Sequence, residues 1–455
     1  MKKQYIYIAA SFLILFLSAS CDKEYTNPSI GVEEVILRDV DGMIALANGL
    51  QYRYTIGRQS PAYTIIVASG LSGQELRVLN AGNADEDFLG KGAANVLGNN
   101  AVVSNLWSQL QLVRTNADQI LNNVNNIGDP ATRSGLIGYA SIFKALSLGT
   151  LAQFWERSPI TTSSDAQFLP RTDVLQEAIR ILEAANTVVT ATAPSAAFAN
   201  RIVLGIIPSP NHTLPTTINA LPNTINALIA RYSLMVGDYD KAIAAADRVN
   251  LSIKSEFRFD DLTRNPIFDV ALSTINVVQP ASLNMGLPEN LKPAAEDKRI
   301  DFYFRSRTPN ENGIFNGRGF FTSNSSPIPV YLPGEMLLIK AEAYARKNDL
   351  TKAVEELDKV LKKKPSEDVW GIGADLPAYS GPVTQAAILT EIYRNRSIEL
   401  FMSGLKLEDS RRFGRPGPVA GQPTQPANIE RNRNFYPYPF IEVDNNPLTP
   451  TYSGI

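Results

Sequence analysis

The sequence predicts a mostly α-helical protein, a scaffold of antiparallel helical hairpins with large irregular loop insertions and a few short strands. Three observations predict it. Residues 334–364 read as two amphipathic helices with a short break between them, a related pattern occurs earlier in the chain, and long Gly- and Pro-punctuated stretches without sustained periodicity separate the two. In the first helix of 334–364, Leu337, Leu338, Ala341 and Ala345 share one face, with Tyr344 a turn away. Lys340, Glu342, Arg346 and Lys347 fall elsewhere on the wheel. Asn348-Asp349 breaks the period. Leu350, Ala353, Val354, Leu357, Val360 and Leu361 then form a second stripe, opposite Lys352, Glu355, Glu356, Asp358 and Lys359.

Two such helices joined by so short a turn fold back on each other. At an offset of 111 residues, Gly237-Asp238-Tyr239-Asp240-Lys241-Ala242-Ile243 falls on Asn348-Asp349-Leu350-Thr351-Lys352-Ala353-Val354, and Asp247-Arg248-Val249 on Asp358-Lys359-Val360. The unit is tetratricopeptide-like. Because the offset is about three times the roughly 34-residue period of such repeats, the copies are expected to be separated by something large.

The chain opens with Lys2 and Lys3, an apolar run from Ile6 to Leu17, and small residues up to Cys21. This is an export leader over residues 1–20, too short to span a bilayer, which needs about 20 apolar residues. Cys21 is the only cysteine and cannot form an intrachain disulfide. The pattern resembles the lipobox of bacterial lipoproteins, which implies lipidation of Cys21, each buried methylene adding about 0.8 kcal/mol of membrane affinity. Residues 21–38 would then be lipid anchor and tether, and 39–455 one domain. No later apolar run is read as long enough to span a membrane. A net charge of −2 with 19% charged residues argues against a nucleic-acid partner.

In chain order, helical periodicity covers about 40–54, then stops, leaving 57–100 as an irregular insertion. Hairpins are expected near 102–154, 222–250, 334–364 and 385–407, with a further helix at 173–189. The Pro- and Thr-rich stretch 191–223 is expected to be loop. Residues 251–333 form the second insertion, with β-prone runs at 275–278, 302–304 and 320–322. The tail from Pro416 is expected to be loop.

The chemistry is limited by what is scarce. His212 is the only histidine and lies among Pro208, Pro210 and Pro215, so neither a histidine zinc site nor a Ser-His-acid triad is expected. Gly313 to Gly319 is glycine-rich but fits no phosphate-loop spacing. No cofactor or metal is expected. Asp85, Glu86 and Asp87 cluster in the first insertion and are the one carboxylate group suited to glycoside hydrolysis, although acidic loop clusters are more often solvated. The positive signal is aromatic: Phe257, Phe259, Phe268, Tyr303, Phe304, Phe315, Phe320, Phe321 and Tyr331 fall in the second insertion among Arg258, Arg264, Arg299, Arg305, Arg307 and Arg318. Rings and arginines together suit a shallow carbohydrate or peptide groove. Most of these rings are expected to fill core, leaving a few for ligand.

Three further segments carry a family resemblance. Residues 151–160, LAQFWERSPI, resemble a helix end followed by a Phe/Tyr-Gly-x-x-Pro turn, with Trp155 in place of the glycine. Arg396-Ser397-Ile398-Glu399-Leu400, Gly404 and Asp409 to Arg412 resemble a late family helix, from which Asn395, Ser403 and Ser410 depart. Tyr436-Pro437-Tyr438-Pro439 and Glu442 to Pro447 resemble the C-terminal signature YPIP-x-x-EID-x-NP. With the leader and hairpins, these segments make the chain similar to the SusD/RagB family of nutrient-binding lipoproteins. The resemblance implies a non-enzymatic lid over a SusC-like TonB-dependent transporter, lipid-anchored in the outer membrane at the cell surface, that captures oligosaccharide or peptide and hands it on. It implies ligand contacts from 57–100 and 251–333, for which Arg77, Phe88, Tyr303 and Phe321 are the candidates, with Trp370 beside them. It makes Arg396, Glu399, Asp409 and Arg412 structural ion pairs. Two other readings stay open: a lipid-anchored scaffold that assembles an envelope complex without small ligand, and a glycoside hydrolase using Asp85 or Asp87.

Overall fold

The computed structural model describes residues 36–202, 214–419 and 428–452. The leader, Cys21 and His212 lie outside the described residues. Helix α1 (Val40–Thr55) starts at Asp39, whose side chain accepts from the Gly42 amide. Helix α2 (Pro61–Ser72) starts at the Ser60 cap with proline in its first turn, where the missing N–H costs nothing. Strand β1 (Leu76–Val78) and α3 (Ala84–Lys91) follow. Asn100 and Asp129 cap α4 (Ala101–Asn123) and α5 (Pro130–Phe154) in the same way. The small hairpin β2 (Arg157–Pro159) and β3 (Phe168–Pro170) leads into α6 (Arg171–Ala191). Next come α7 (Leu214–Val236) and α8 (Tyr239–Ala246), then the short strands β4 (Glu256–Phe257), β5 (Val278–Pro280) and β6 (Ile328–Pro329). Helices α9 (Pro333–Arg346), α10 (Leu350–Leu361), α11 (Gln385–Glu399) and α12 (Lys406–Arg412) complete the frame. The fold is mostly helical, as expected, and among the described residues the strands form three two-stranded antiparallel ladders.

The offset of 111 residues is a repeat of turn geometry. Gly237 and Asn348 both have positive φ, at 85° and 63°. The amides of Asp238 and Asp349 donate to the carbonyls of Ser233 and Tyr344, also 111 residues apart. Both aspartates then cap the next helix, accepting from the amides of Lys241 and Lys352. Glycine and asparagine tolerate the left-handed region, which explains that position's composition. The two hairpins also stack, α8 against α9, with Lys340 paired to Asp247 at 2.7 Å and Lys347 to Asp240.

The second insertion therefore leaves and rejoins the frame between neighbours. Its neck is pinned: β4 pairs with β6, the Val330 amide donates to the Ser255 carbonyl at 2.9 Å, and the Tyr331 hydroxyl donates to the Ile253 carbonyl at 3.1 Å.

Several expectations are corrected. Residues 57–100 are not structureless, for they hold α2, β1 and α3. Helix α2 is buried around nearly its whole circumference, so it shows no amphipathic stripe. Part of 191–223 is helical, at Ala196–Arg201 and in the start of α7. Pro222 lies inside α7 and lacks one backbone donor; its own carbonyl accepts from Asn226 Nδ2 at 2.8 Å. The helical run over 385–407 is divided between α11 and α12. Met402 (φ 58°) and Gly404 (φ 84°) break it, and a Cβ at Gly404 would lie 2.3 Å from Ile65 Cγ2 on α2. Residues 302–304 sit at the end of a short helix, Arg299–Tyr303, and 320–322 are in no strand. Helix α5 is long and apolar enough to cross a membrane, contrary to expectation, but 89% of its most apolar window is buried inside the protein. It is the core helix. In the tail, Phe440–Asn445 is a short helix.

Candidate functional site

The two insertions meet. β1 of the first pairs antiparallel with β5 of the second, Arg77 opposite Gln279, and the Ala281 amide donates to the Glu75 carbonyl at 2.9 Å. Beyond the strands, Asn80 Nδ2 donates to Asn276 Oδ1 at 3.0 Å and Asn83 Nδ2 to the Asn276 carbonyl at 3.2 Å. Arg77 Nη2 reaches across to the Gly313 carbonyl at 2.6 Å. Gly286 (φ 72°) closes the junction. A Cβ there would lie 2.7 Å from the Gly73 carbonyl oxygen, so only glycine lets the chains approach so closely. Gln74 (φ 61°) and Met285 (φ 53°) hold positive φ on either side, the kind of backbone strain found at ligand clamps.

Beside this junction lies an open groove of about 430 Å³, with Gln74, Arg77, Asp87, Lys91, Ser282 and Leu287 on its walls. A second depression of about 480 Å³ shares Gln74, Gly286 and Leu287 with it and runs on to Asn290 and Arg415. Both volumes fall in the ordinary range of ligand sites. The groove is polar and charged at its edges: Lys91 Nζ pairs with Asp87 Oδ2 at 2.5 Å and lies 5.9 Å from the ring of Phe88, which is 42% exposed. Two cavities of about 70 and 60 Å³ both border Arg231 and are too small for a sugar.

The sequence candidates separate by location. Arg77 lines the groove and Phe88 stands one residue from Asp87 on α3. Trp370 is elsewhere, edge-on to Phe320 at 5.4 Å with Lys254 Nζ 4.6 Å from its ring. Tyr303 and Phe321 are core residues, 1% and 2% exposed, and the Tyr303 hydroxyl donates to the Glu399 carbonyl at 2.6 Å. Their rings fill space beneath the insertion and face no groove. Phe257, Phe259, Phe304 and Tyr331 are likewise buried, while Phe268, Phe315 and Phe320 are half-buried. Gln74, Lys91 and Ser282 were missed. The only sequence signal was Lys91 at four residues from Asp87, since the positive φ of Gln74 cannot be read from residue type.

The acidic cluster is on a helix, not in a loop. Asp85 accepts from the Ala101 amide at 2.9 Å and so helps cap α4. Glu86, 1% exposed, accepts from Arg58 at 2.7 Å and Tyr63 at 3.1 Å. Burial, with the Glu86 carboxylate beside it, holds the Tyr63 phenol far above its usual range. Only Asp87 reaches the groove. Among the described residues no group of three His, Cys, Asp or Glu side chains is arranged to hold a metal ion.

Deep in the frame, Arg396 grips Asp409 through two bonds of 2.8 and 3.0 Å. Arg412 joins Glu342 (2.8 and 2.9 Å) and Asp409 (2.7 Å). Burial opposes ionisation of Glu342, but Arg412, Arg396 and Arg346 outweigh it and hold the carboxyl below its ordinary value. Asp409 is depressed in the same way, burial being outweighed by Arg396 and Arg412. Glu399 pairs separately, with Arg299 at 3.2 Å and Lys363 at 2.7 Å.

Fold and groove together define a helical-hairpin frame that presents a solvent-open cleft on its insertions. Residues 316–453 match the SusD family (SusD_RagB), and the fold is that of solved SusD-superfamily structures, so the resemblance read from the sequence holds in that segment and in the fold. A SusD superfamily protein from Bacteroides vulgatus ATCC 8482 matches with a TM-score of 0.63 at 14% identity, over 90% of this chain and 98% of that one. A SusD-like carbohydrate binding protein from Bacteroides fragilis NCTC 9343 matches at 0.64 and 15%, over 91% and 99%. A further SusD-like protein from the same strain matches at 0.65 and 11%, over 93% and 98%. No curated protein matches this sequence.

Proposed function

We propose that this protein is a cell-surface lipoprotein that captures an oligosaccharide in the groove between its two insertions and delivers it to a TonB-dependent outer-membrane transporter. The observation that carries the reading is the β1–β5 junction. It joins segments far apart in the chain (Arg77 pairs with Gln279, 202 positions away) and leaves a groove of about 430 Å³ walled by Gln74, Arg77 and Lys91. Guanidinium, amide and ammonium groups donate hydrogen bonds to sugar hydroxyls, and the exposed ring of Phe88, 5.9 Å from the Lys91 ammonium, offers a stacking face nearby. The same donors would serve the carbonyls of an extended peptide, so the cargo is glycan in the first instance and peptide in the second. Binding without turnover fits the site: Asp85 and Glu86 are committed to backbone and ion-pair contacts, which leaves Asp87 without the second carboxylate that glycoside hydrolysis needs.

The anchor belongs to the same proposal. Lipidation at Cys21 would hold residues 39–455 at the outer membrane, and Cys21→Ser would release the chain into the medium or periplasm. Detergent extraction, protease shaving of intact cells and glycan-array binding form the test. A large β-barrel co-purifying with the chain and saturable binding lost in Arg77→Ala are the expected results. A protein partner without any soluble ligand would instead favour the lipid-anchored scaffold, and hydrolysis of the glycan lost in Asp87→Asn would favour an enzyme.

A further inference from the structure

A third depression, of about 250 Å³, lies on the frame and not on the insertions. Three guanidiniums line it, those of Arg346, Arg412 and Arg415, and no carboxylate does. Leu389, Tyr393 and Phe413 supply its apolar surface. Arg346 and Arg412 sit 5.2 and 5.4 Å from the Phe413 ring, and Arg415 sits 5.0 Å from the Tyr393 ring. The acids that fix these arginines stand behind the wall: Glu342 accepts from Arg346 and Arg412, and Glu430 accepts from Arg415 and Tyr393.

In the wall and the network behind it cations outnumber carboxylates. Arg171, Arg346, Arg396, Arg411 and Arg412 share Glu342, Glu408 and Asp409, five against three. Nη1 of Arg396 and Nη1 of Arg412 are buried and have no hydrogen-bond partner, although Arg412 Nη1 lies 3.8 Å from Glu408 Oε1. A buried surplus of one sign is costly unless a counter-charge completes it.

We propose that this pocket binds a compact organic carboxylate, the guanidiniums holding the carboxylate and Phe413, Tyr393 and Leu389 covering its apolar body. Planar guanidinium matches carboxylate geometry, and the volume admits one residue: a single uronic acid unit or one acidic side chain. The pocket is separate from the groove cargo, although Arg415 also borders the far end of the adjoining depression.

Titration calorimetry of the detergent-solubilised full chain tests it, with glucuronate against glucose and N-acetylglutamate amide against N-acetylglutamine amide. At least one acid should bind saturably, at least about tenfold more tightly than its neutral counterpart, and more weakly as salt is raised. Arg346→Gln and Leu389→Trp should each weaken it by at least about tenfold; the second fills the pocket and leaves the arginine network intact, so loss there is not loss of fold. Arg77→Ala should leave it unchanged. Glucuronate alone identifies an acidic sugar as the source, and acetylglutamate alone a side chain of a protein partner. Acids that bind no better than their neutral counterparts, or binding that survives both pocket variants, would overturn it.

Discussion

Arg412 and Arg77 carry the same guanidinium in opposite circumstances. Arg412 is held inside the frame by Glu342 and Asp409, while Arg77 reaches a loop carbonyl at the wall of a solvent-open groove. In the frame, a charge is safe only because several partners fix it, and it can serve a ligand only where it also lines an opening, as Arg412 does in the proposed carboxylate pocket. In the groove, each charge has few fixed partners and water can be exchanged for hydroxyls or carbonyls. Burial, not residue type, separates the arginines of the frame from that of the groove in this chain.

The contrast can be broken at its strongest point first. Glu342→Ala leaves Arg346, Arg396 and Arg412 short of a shared acceptor and should cost about 3–5 kcal/mol in denaturant unfolding. A loss below about 1 kcal/mol would mean that Asp409 and Glu408 suffice. Gly334→Ala comes next: a Cβ there would lie 1.9 Å from Glu399 Oε1, and overpacking of this kind costs about 1–3 kcal/mol. Replacing Glu399 by Ala in the same chain should recover part of that loss, which a double-mutant cycle would measure.

A pH series probes the border between the two regions. Burial raises the Glu75 carboxyl from 4.5 to about 8, with Lys406 offsetting part of the rise. Burial lowers Lys406 from 10.5 to about 8 against the pull of Glu75. Between pH 4.5 and about 8 the folded chain keeps the Glu75 proton that the unfolded chain has released, so stability should fall as pH rises. Between about 8 and 10.5 the unfolded chain keeps the Lys406 proton, so stability should recover. Glu75→Gln should flatten the lower limb in thermal melts, and an unchanged slope would assign it elsewhere. The smallest effect belongs to the groove. Arg77→Ala should change stability by no more than about 0.5 kcal/mol, yet lower glycan affinity about tenfold, the scale of one charged hydrogen bond.

Much of the frame was legible because its helices have one wet side. The stripe of Leu350, Ala353, Leu357, Val360 and Leu361 reads directly as the buried face of α10, and Asp238 and Asp349 announce their helices as caps. Helix α2 was illegible for the opposite reason, since Tyr63, Ile66, Val67, Ala68 and Leu71 are all buried and leave no polar face to set a phase. The break at Met402 was hidden because positive φ at a methionine has no signature. The candidate site was legible only as two separate stretches. That Arg77 faces Gln279 is a long-range pairing of three-residue strands, and such short strands carry too little pattern to reveal a partner 202 positions away. Tyr303 and Phe321 misled because an aromatic residue in a loop-rich segment looks the same whether it lines a groove or supports one.

The pinned neck of the second insertion has a consequence for how such a protein can diversify. With β4 tied to β6 and α8 stacked on α9, the ends of the inserted segment stay fixed whatever lies between them, and each doubling of a flexible loop's length costs only about 0.6 kcal/mol of closure entropy. The segment from the neck outward behaves as an exchangeable cassette: its length and ring content can drift while the stacked hairpins beneath register no change.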